Sequence, residues 1–211
     1  MAFSAVSHYF VSGSHDRTAR LWSTDHVYPL RLLAGHLSSV DCVTFHPNCN
    51  YIASGSSDKT CRMWDICSGN CVRLFKGLRA PVTALSMSSC GKLLAAGADD
   101  GQIMVWDLAT SNMLHSFRGH TGSVHSVDFA LGETTLLASG GQDGTVRLWD
   151  ASSGAGGGDA GASASSAAAV GDGARHPGEL TCLKTKQTRV LKVRFSRTNL
   201  LLAAGAFAPD K

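Results

Sequence analysis

Apolar residues along this chain come in short runs, each closed by polar turn-formers, and the runs recur with an unusual regularity. Between residues 35 and 76, four β-rich runs stand at 40–45, 51–55, 60–65 and 71–75. The stretches between them, HPNCN, SSD and CSGN, carry the Pro, Asn, Asp, Ser and Gly that let a chain turn sharply. Runs of this length, bounded this way, predict four antiparallel strands joined by tight turns.

The same text returns along the chain. Trp22, Trp64, Trp106 and Trp149 are separated by 42, 42 and 43 residues, and are preceded by SGSHDRTARLW, SGSSDKTCRMW, AGADDGQIMVW and SGGQDGTVRLW. Gly35-His36 and Gly119-His120 stand 28 and 29 residues before Trp64 and Trp149, and Asp65, Asp107 and Asp150 follow the last three tryptophans. Gly-His early and Trp-Asp late, in a period of about 40 to 45 residues, resembles the WD40-type β-propeller, in which each repeat forms one four-stranded blade. The expected fold is therefore all-β.

Each copy also carries polar residues among apolar neighbours, where an unpaired hydroxyl or imidazole would be costly. They can satisfy one another. The indole N–H of Trp64 can donate to Ser54, the Ser54 hydroxyl to one nitrogen of His36, and the other imidazole N–H to Asp58, each link contributing roughly 1 kcal/mol net. His120, Ser139, Asp143 and Trp149 offer a second complete tetrad. The first copy supplies a partial one in Ser12, Asp16 and Trp22. The third keeps Asp100 and Trp106 but has Leu78 and Ala96 in place of His and Ser, a paired loss that strands neither partner.

These repeats divide the chain into a partial first blade at 1–34, beginning at an inner strand over 9–13, a second at 35–76, a degenerate third at 77–118, and the inner three strands of a fourth at 119–150. Residues 151–178, rich in Gly, Ala and Ser and lacking any aromatic, predict a flexible insertion. Residues 179–211 then supply the outer strand of the fourth blade and two strands of a closing blade. About four and a half blades of a probable seven result, so the sequence is expected to be a C-terminal portion of a longer protein.

A formal charge of +3 is too small to imply a dedicated nucleic-acid or anionic-membrane binder, and no stretch approaches the roughly 20 apolar residues of a membrane span. The seven cysteines show no Cys-x-x-Cys pair or framework spacing and are expected to be reduced thiols. Ser14-His15-Asp16 has the residue types of a hydrolase triad, but neighbours in sequence cannot converge as that chemistry requires. His115, His120 and His125 lack companions in zinc-ligand spacing. Cys67 and Cys71 flank a turn, which packing explains, and the glycine-rich tract lacks the ending of a phosphate loop. Lys184, Lys186, Arg189, Lys192, Arg194 and Arg197 form a basic run with no acidic residue inside it, a candidate surface for an acidic partner or for nucleic-acid phosphates, set against the plainer reading of a solvated strand face and its loops, since Phe195 is the one aromatic within it and the repeat assigns it to the core. No enzyme, cofactor, metal or small-molecule substrate is predicted.

Particular phrases narrow the resemblance. SGSHDRTARLW, then YPLRLLAGHLSSVDCVTFHPNCNYIASGSSDKT, and finally FSRTNLLLAAGAF are similar to the WD40 region of the family of TBP-associated factor five in TFIID and its relative in SAGA-type coactivators. The similarity covers most of positions 8–150 and 188–207. It implies a non-enzymatic nuclear scaffold that docks histone-fold subunits during transcription initiation. A SAGA-type subunit, or a peptide-reading adaptor such as a ubiquitin-ligase substrate receptor, are the alternatives.

Overall fold

The computed structural model describes residues 1–4, 8–132, 135–152, 176–185 and 188–206. Among them every regular element is a β-strand, and the strands form five antiparallel sheets in chain order. The first holds β1 (Ala2–Phe3), β2 (Tyr9–Gly13), β3 (Thr18–Ser23) and β4 (Arg31–Ala34). The second holds β5 (Val40–Phe45), β6 (Tyr51–Ser56), β7 (Cys61–Asp65) and β8 (Cys71–Phe75). The third holds β9 (Val82–Met87), β10 (Leu93–Ala98), β11 (Gln102–Asp107) and β12 (Met113–Arg118), and the fourth β13 (Val124–Phe129), β14 (Leu136–Gly141), β15 (Thr145–Asp150) and β16 (Glu179–Lys184). The last is the pair β17 (Val190–Phe195) and β18 (Leu201–Gly205). Each four-stranded sheet is a simple meander, the expected blade of a partial propeller.

One expectation changes. The first sheet begins a strand earlier than residues 9–13, because Ala2 pairs with Val11 and Phe3 with Phe10. Two residues are too few to show a period, so only the pairing reveals them. The expected insertion at 151–178 lies, over 153–175, outside the described residues.

The sheets stack face to face, with β5, β9, β13 and β17 packed in succession along one side. Four apolar clusters fill the gaps between consecutive sheets. Val11, Leu21 and Leu33 meet Phe45, Ile52 and Trp64, and Met63 and Phe75 meet Leu78, Val82 and Trp106. Ile103, Val105 and Phe117 meet Val127, Leu137 and Trp149, and Ala138 and Val146 meet Val190 and Val193. Each later tryptophan thus packs on the preceding sheet, Trp106 with its ring 5.8 Å from Phe75 and Trp149 5.0 Å from Phe117. Because neighbours cover both faces, β6, β10 and β14 are almost continuously buried rather than alternating. The outermost strands β4, β8 and β12 are mostly exposed.

The tightest turns join the second and third strands of each sheet. Their central residues, Arg17, Lys59, Gly101 and Gly144, all take left-handed backbone, with φ of 69°, 67°, 82° and 69°. Each follows the repeated Asp, which is thereby aimed back at the sheet.

Candidate functional site

The polar residues that recur with the repeat come together on the second and fourth sheets. Trp64 Nε1 donates to Ser54 Oγ at 2.7 Å, the Ser54 hydroxyl to His36 Nε2 at 2.7 Å, and His36 Nδ1 to Asp58 Oδ2 at 2.8 Å. Since an indole only donates, the hydroxyl hydrogen must point to Nε2, which leaves the proton of neutral His36 on Nδ1. On the fourth sheet, Trp149 Nε1 lies 2.8 Å from Ser139 Oγ, Ser139 Oγ 2.7 Å from His120 Nε2, and His120 Nδ1 3.0 Å from Asp143 Oδ2.

Both histidine side chains are fully buried. Burial holds the His36 imidazole below its ordinary range, against the opposing pull of Asp58. Burial also pushes the Asp58 carboxyl upward, but bonds from the Thr60 hydroxyl, the Leu37 amide and His36 outweigh it and bring the group down to about 2. Asp143 is likewise lowered, burial being overcome by His120 and Thr145.

Two participants were not singled out from the sequence. Thr60 Oγ1 donates to Asp58 Oδ1 at 2.6 Å, and Thr145 Oγ1 to Asp143 Oδ1 at 2.8 Å. The signal was present, since Asp-x-Thr occurs at 16–18, 58–60 and 143–145, with Gln102 in its place in the third copy. The loop amides of Leu37 and Thr121 also donate to Asp58 and Asp143, so each chain runs from a buried tryptophan to the backbone of an exposed loop.

In the first sheet Trp22 Nε1 donates to Ser12 Oγ at 2.9 Å, while Asp16 accepts from the Thr18 amide and pairs with Arg20. In the third, Leu78, Ala96 and Trp106 share one apolar cluster, and Asp100 accepts only a local bond from the Gln102 amide among the described residues.

The basic run does not form one patch. Lys184 ends β16, Arg189 precedes β17, and Arg197 lies in the turn beyond its far end, while Lys192 and Arg194 share one face of β17. All five are exposed, and among the described residues none forms an ion pair with a carboxylate. Lys186 lies outside the described residues.

The other chemical candidates stay apart. Ser14 Oγ accepts the amide of Asp16, and that carboxylate is taken up by Thr18 and Arg20. His115 lies on β12 stacked against Phe117, His120 belongs to its tetrad, and His125 lies on β13. Among the described residues no three His, Cys, Asp or Glu side chains converge on a common metal position. Cys67 and Cys71 are exposed thiols.

The WD domain, G-beta repeat family matches residues 1–23, 27–65, 69–107 and 111–150. A stretch of 48 residues is 46% identical to transcription initiation factor TFIID subunit 5 of Caenorhabditis elegans, and it covers 23% of this chain but 7% of that relative.

Proposed function

The chain belongs to the WD40 repeat family, whose domains are generally non-catalytic platforms for protein interaction, and from that premise we propose that it is a scaffold subunit of the general transcription factor TFIID. On this reading it acts in the nucleus during initiation by RNA polymerase II, and its partners are histone-fold subunits. The observation that carries the reading is the 46% identity to a TFIID subunit. The geometry supports a scaffold role because the two complete tetrads tie the loops after His36 and His120 to buried tryptophans, holding surface backbone in one shape. A preorganised loop loses less entropy when a partner docks.

Affinity purification of the tagged protein from nuclear extract, followed by mass spectrometry, tests the proposal. Co-purifying TBP and histone-fold TFIID subunits are expected. Recovery of SAGA-type coactivator subunits without TBP, or of cullin-type ligase subunits, would overturn it in favour of the corresponding alternative.

A further inference from the structure

Two residues before each repeated tryptophan stand Arg20, Arg62, Met104 and Arg147, one on the third strand of each four-stranded sheet. At three of these positions the side chain finds what it needs within the chain. Arg20 pairs with Asp16, Met104 is apolar and lies in a hydrophobic cluster, and Arg147 Nη1 donates to Glu179 Oε1 at 2.8 Å. Arg62 differs. Among the described residues it pairs with no carboxylate, and its Nε is buried without a hydrogen-bond partner.

The fourth sheet shows what the second lacks. Both guanidinium groups take the same pose beside a tryptophan and a glycine. A Cβ on Gly35 would stand 3.1 Å from Arg62 Nη1 and 3.1 Å from Trp64 Cη2, and one on Gly119 would stand 2.8 Å from Arg147 Nη1 and 2.9 Å from Trp149 Cη2. Glu179 lies opposite Trp149 on the outer strand β16, and the residue opposite Trp64 on β8 is Cys71. That thiol is exposed and donates to the Arg73 carbonyl. The carboxylates of the second sheet are engaged elsewhere, Asp58 by His36, Leu37 and Thr60, and Asp65 by Ser68. Gly35 joins β4 to β5, so the place lies between two complete sheets of the chain.

A buried N–H without an acceptor calls for a partner, and a guanidinium already held against Gly35 has little freedom left to lose when one arrives. We propose that Arg62 is the seat for an acidic side chain of a partner protein, whose carboxylate meets the guanidinium as Glu179 meets Arg147. The proposal deepens the scaffold reading above and rests on it. A guanidinium matches carboxylate and phosphate alike. The Asp41 and Asp58 carboxylates, however, both act on the His36 ring together with Arg62, and they would repel the row of charges that a nucleic-acid strand brings, whereas one side chain brings a single charge. Leu37, two residues beyond Gly35, is 78% exposed with its amide fixed by Asp58, and it offers a peptide segment an apolar contact.

NMR spectra of the full chain with isotopically labelled arginine test this, since they report each Nε–H. The Arg62 and Arg147 signals are the ones lost in Arg62→Lys and Arg147→Lys. The probe is the tripeptide Leu-Glu-Gly with both ends capped, so that the Glu side chain is its sole carboxylate. It should shift the Arg62 signal saturably and leave that of Arg147 in place, and capped Leu-Gln-Gly should bind at least about tenfold more weakly. Cys71→Glu supplies an internal carboxylate, so it should move the Arg62 signal without peptide and weaken peptide binding by a similar factor. Glu179→Cys makes the converse change and should render the Arg147 signal responsive to Leu-Glu-Gly, a gain that misfolding cannot produce. The proposal is overturned if the Arg62 signal ignores Leu-Glu-Gly, or responds equally to Leu-Gln-Gly or in Cys71→Glu. It is also overturned if Glu179→Cys leaves Arg147 unresponsive, or if inorganic phosphate or a single-stranded oligonucleotide binds Arg62 more tightly than the peptide does. Loss of the peptide response with TFIID subunits still co-purifying fails this proposal alone, and the reverse result fails the TFIID reading alone.

Discussion

The Asp128 carboxylate accepts the backbone N–H of Phe195 at 2.8 Å, across the gap between the fourth and last sheets. Its other oxygen accepts from Ser86 of the third sheet at 3.2 Å, so one side chain joins three sheets. Asp128→Ala strands both donors and is expected to cost about 1–3 kcal/mol, whereas Asp128→Asn keeps an acceptor and should cost less. Denaturant unfolding gives the order, and hydrogen exchange should show the Phe195 amide opening faster in the alanine variant. Equal stability of the wild type and Asp128→Ala would mean that the bond contributes nothing.

The third sheet lacks both members of the hydroxyl-imidazole pair, which makes it a natural control. Leu78→His alone buries an imidazole among Met104, Trp106 and Phe75 without a hydroxyl to meet it. It is expected to destabilise by about 1–3 kcal/mol, and adding Ala96→Ser should recover part of that loss. Melting temperatures of the two variants in the reverse order would contradict the prediction.

The fourth sheet allows the converse exchange. Ser139 is fully buried and receives Trp149 while serving His120, so Ser139→Ala leaves two groups unpaired and should cost about 2–4 kcal/mol. His120→Leu combined with Ser139→Ala imitates the third sheet. It should cost less than the two single changes added together, a coupling that a double-mutant cycle measures.

Stability should fall on the acid side of neutrality. His36 is held below its ordinary 6.5 by burial, so the unfolded chain takes up the proton first and stability begins to drop as pH falls through that value. For Asp58 burial works upward and the bonds of Thr60, Leu37 and His36 win, leaving it at about 2 against 3.8. A depressed acid contributes stability that is present above 3.8 and is lost as pH falls toward 2. Asp143 has the same sign. Asp128, raised by burial against the Phe195 amide, works oppositely, its contribution being present at low pH and lost as pH rises through its folded value. Thermal unfolding followed by circular dichroism from pH 7 to pH 3 should show a modest decline, then a steeper one below about pH 4. A melting temperature constant over that range would refute it.

Gly101 holds a position where two costs coincide. Its φ is +82°, and a Cβ there would lie 2.4 Å from the His120 carbonyl oxygen, which is backbone and cannot swing aside. Gly101→Ala should therefore destabilise by more than about 2 kcal/mol, whereas Gly132→Ala, at φ +100° with nothing among the described residues within 4 Å, meets backbone strain and should cost about 1 kcal/mol. Chemical denaturation midpoints of the two variants provide the comparison.

Much of this architecture was legible before any coordinates, because it is written in local terms. Short apolar runs closed by turn residues specify strands and hairpins, and recurrence of Trp, Ser, His and Asp at one spacing names the groups that must satisfy one another. Even Asp-x-Thr could have been read that way. What the tertiary structure alone decided are relations between sheets. Ala2–Phe3 is too short to declare itself a strand until β2 pairs with it. Asp128 and Phe195 stand 67 residues apart and meet only because β13 and β17 are stacked. The basic run reads as one patch along the sequence, yet the strand separates Arg189 from Arg197 and sets Lys192 beside Arg194 on one face. The physical reason is common to all three. A strand's own residues dictate its alternation and its ends, but which side chains face one another across a gap depends on how twisted sheets lie against each other, and no single run of residues carries that quantity.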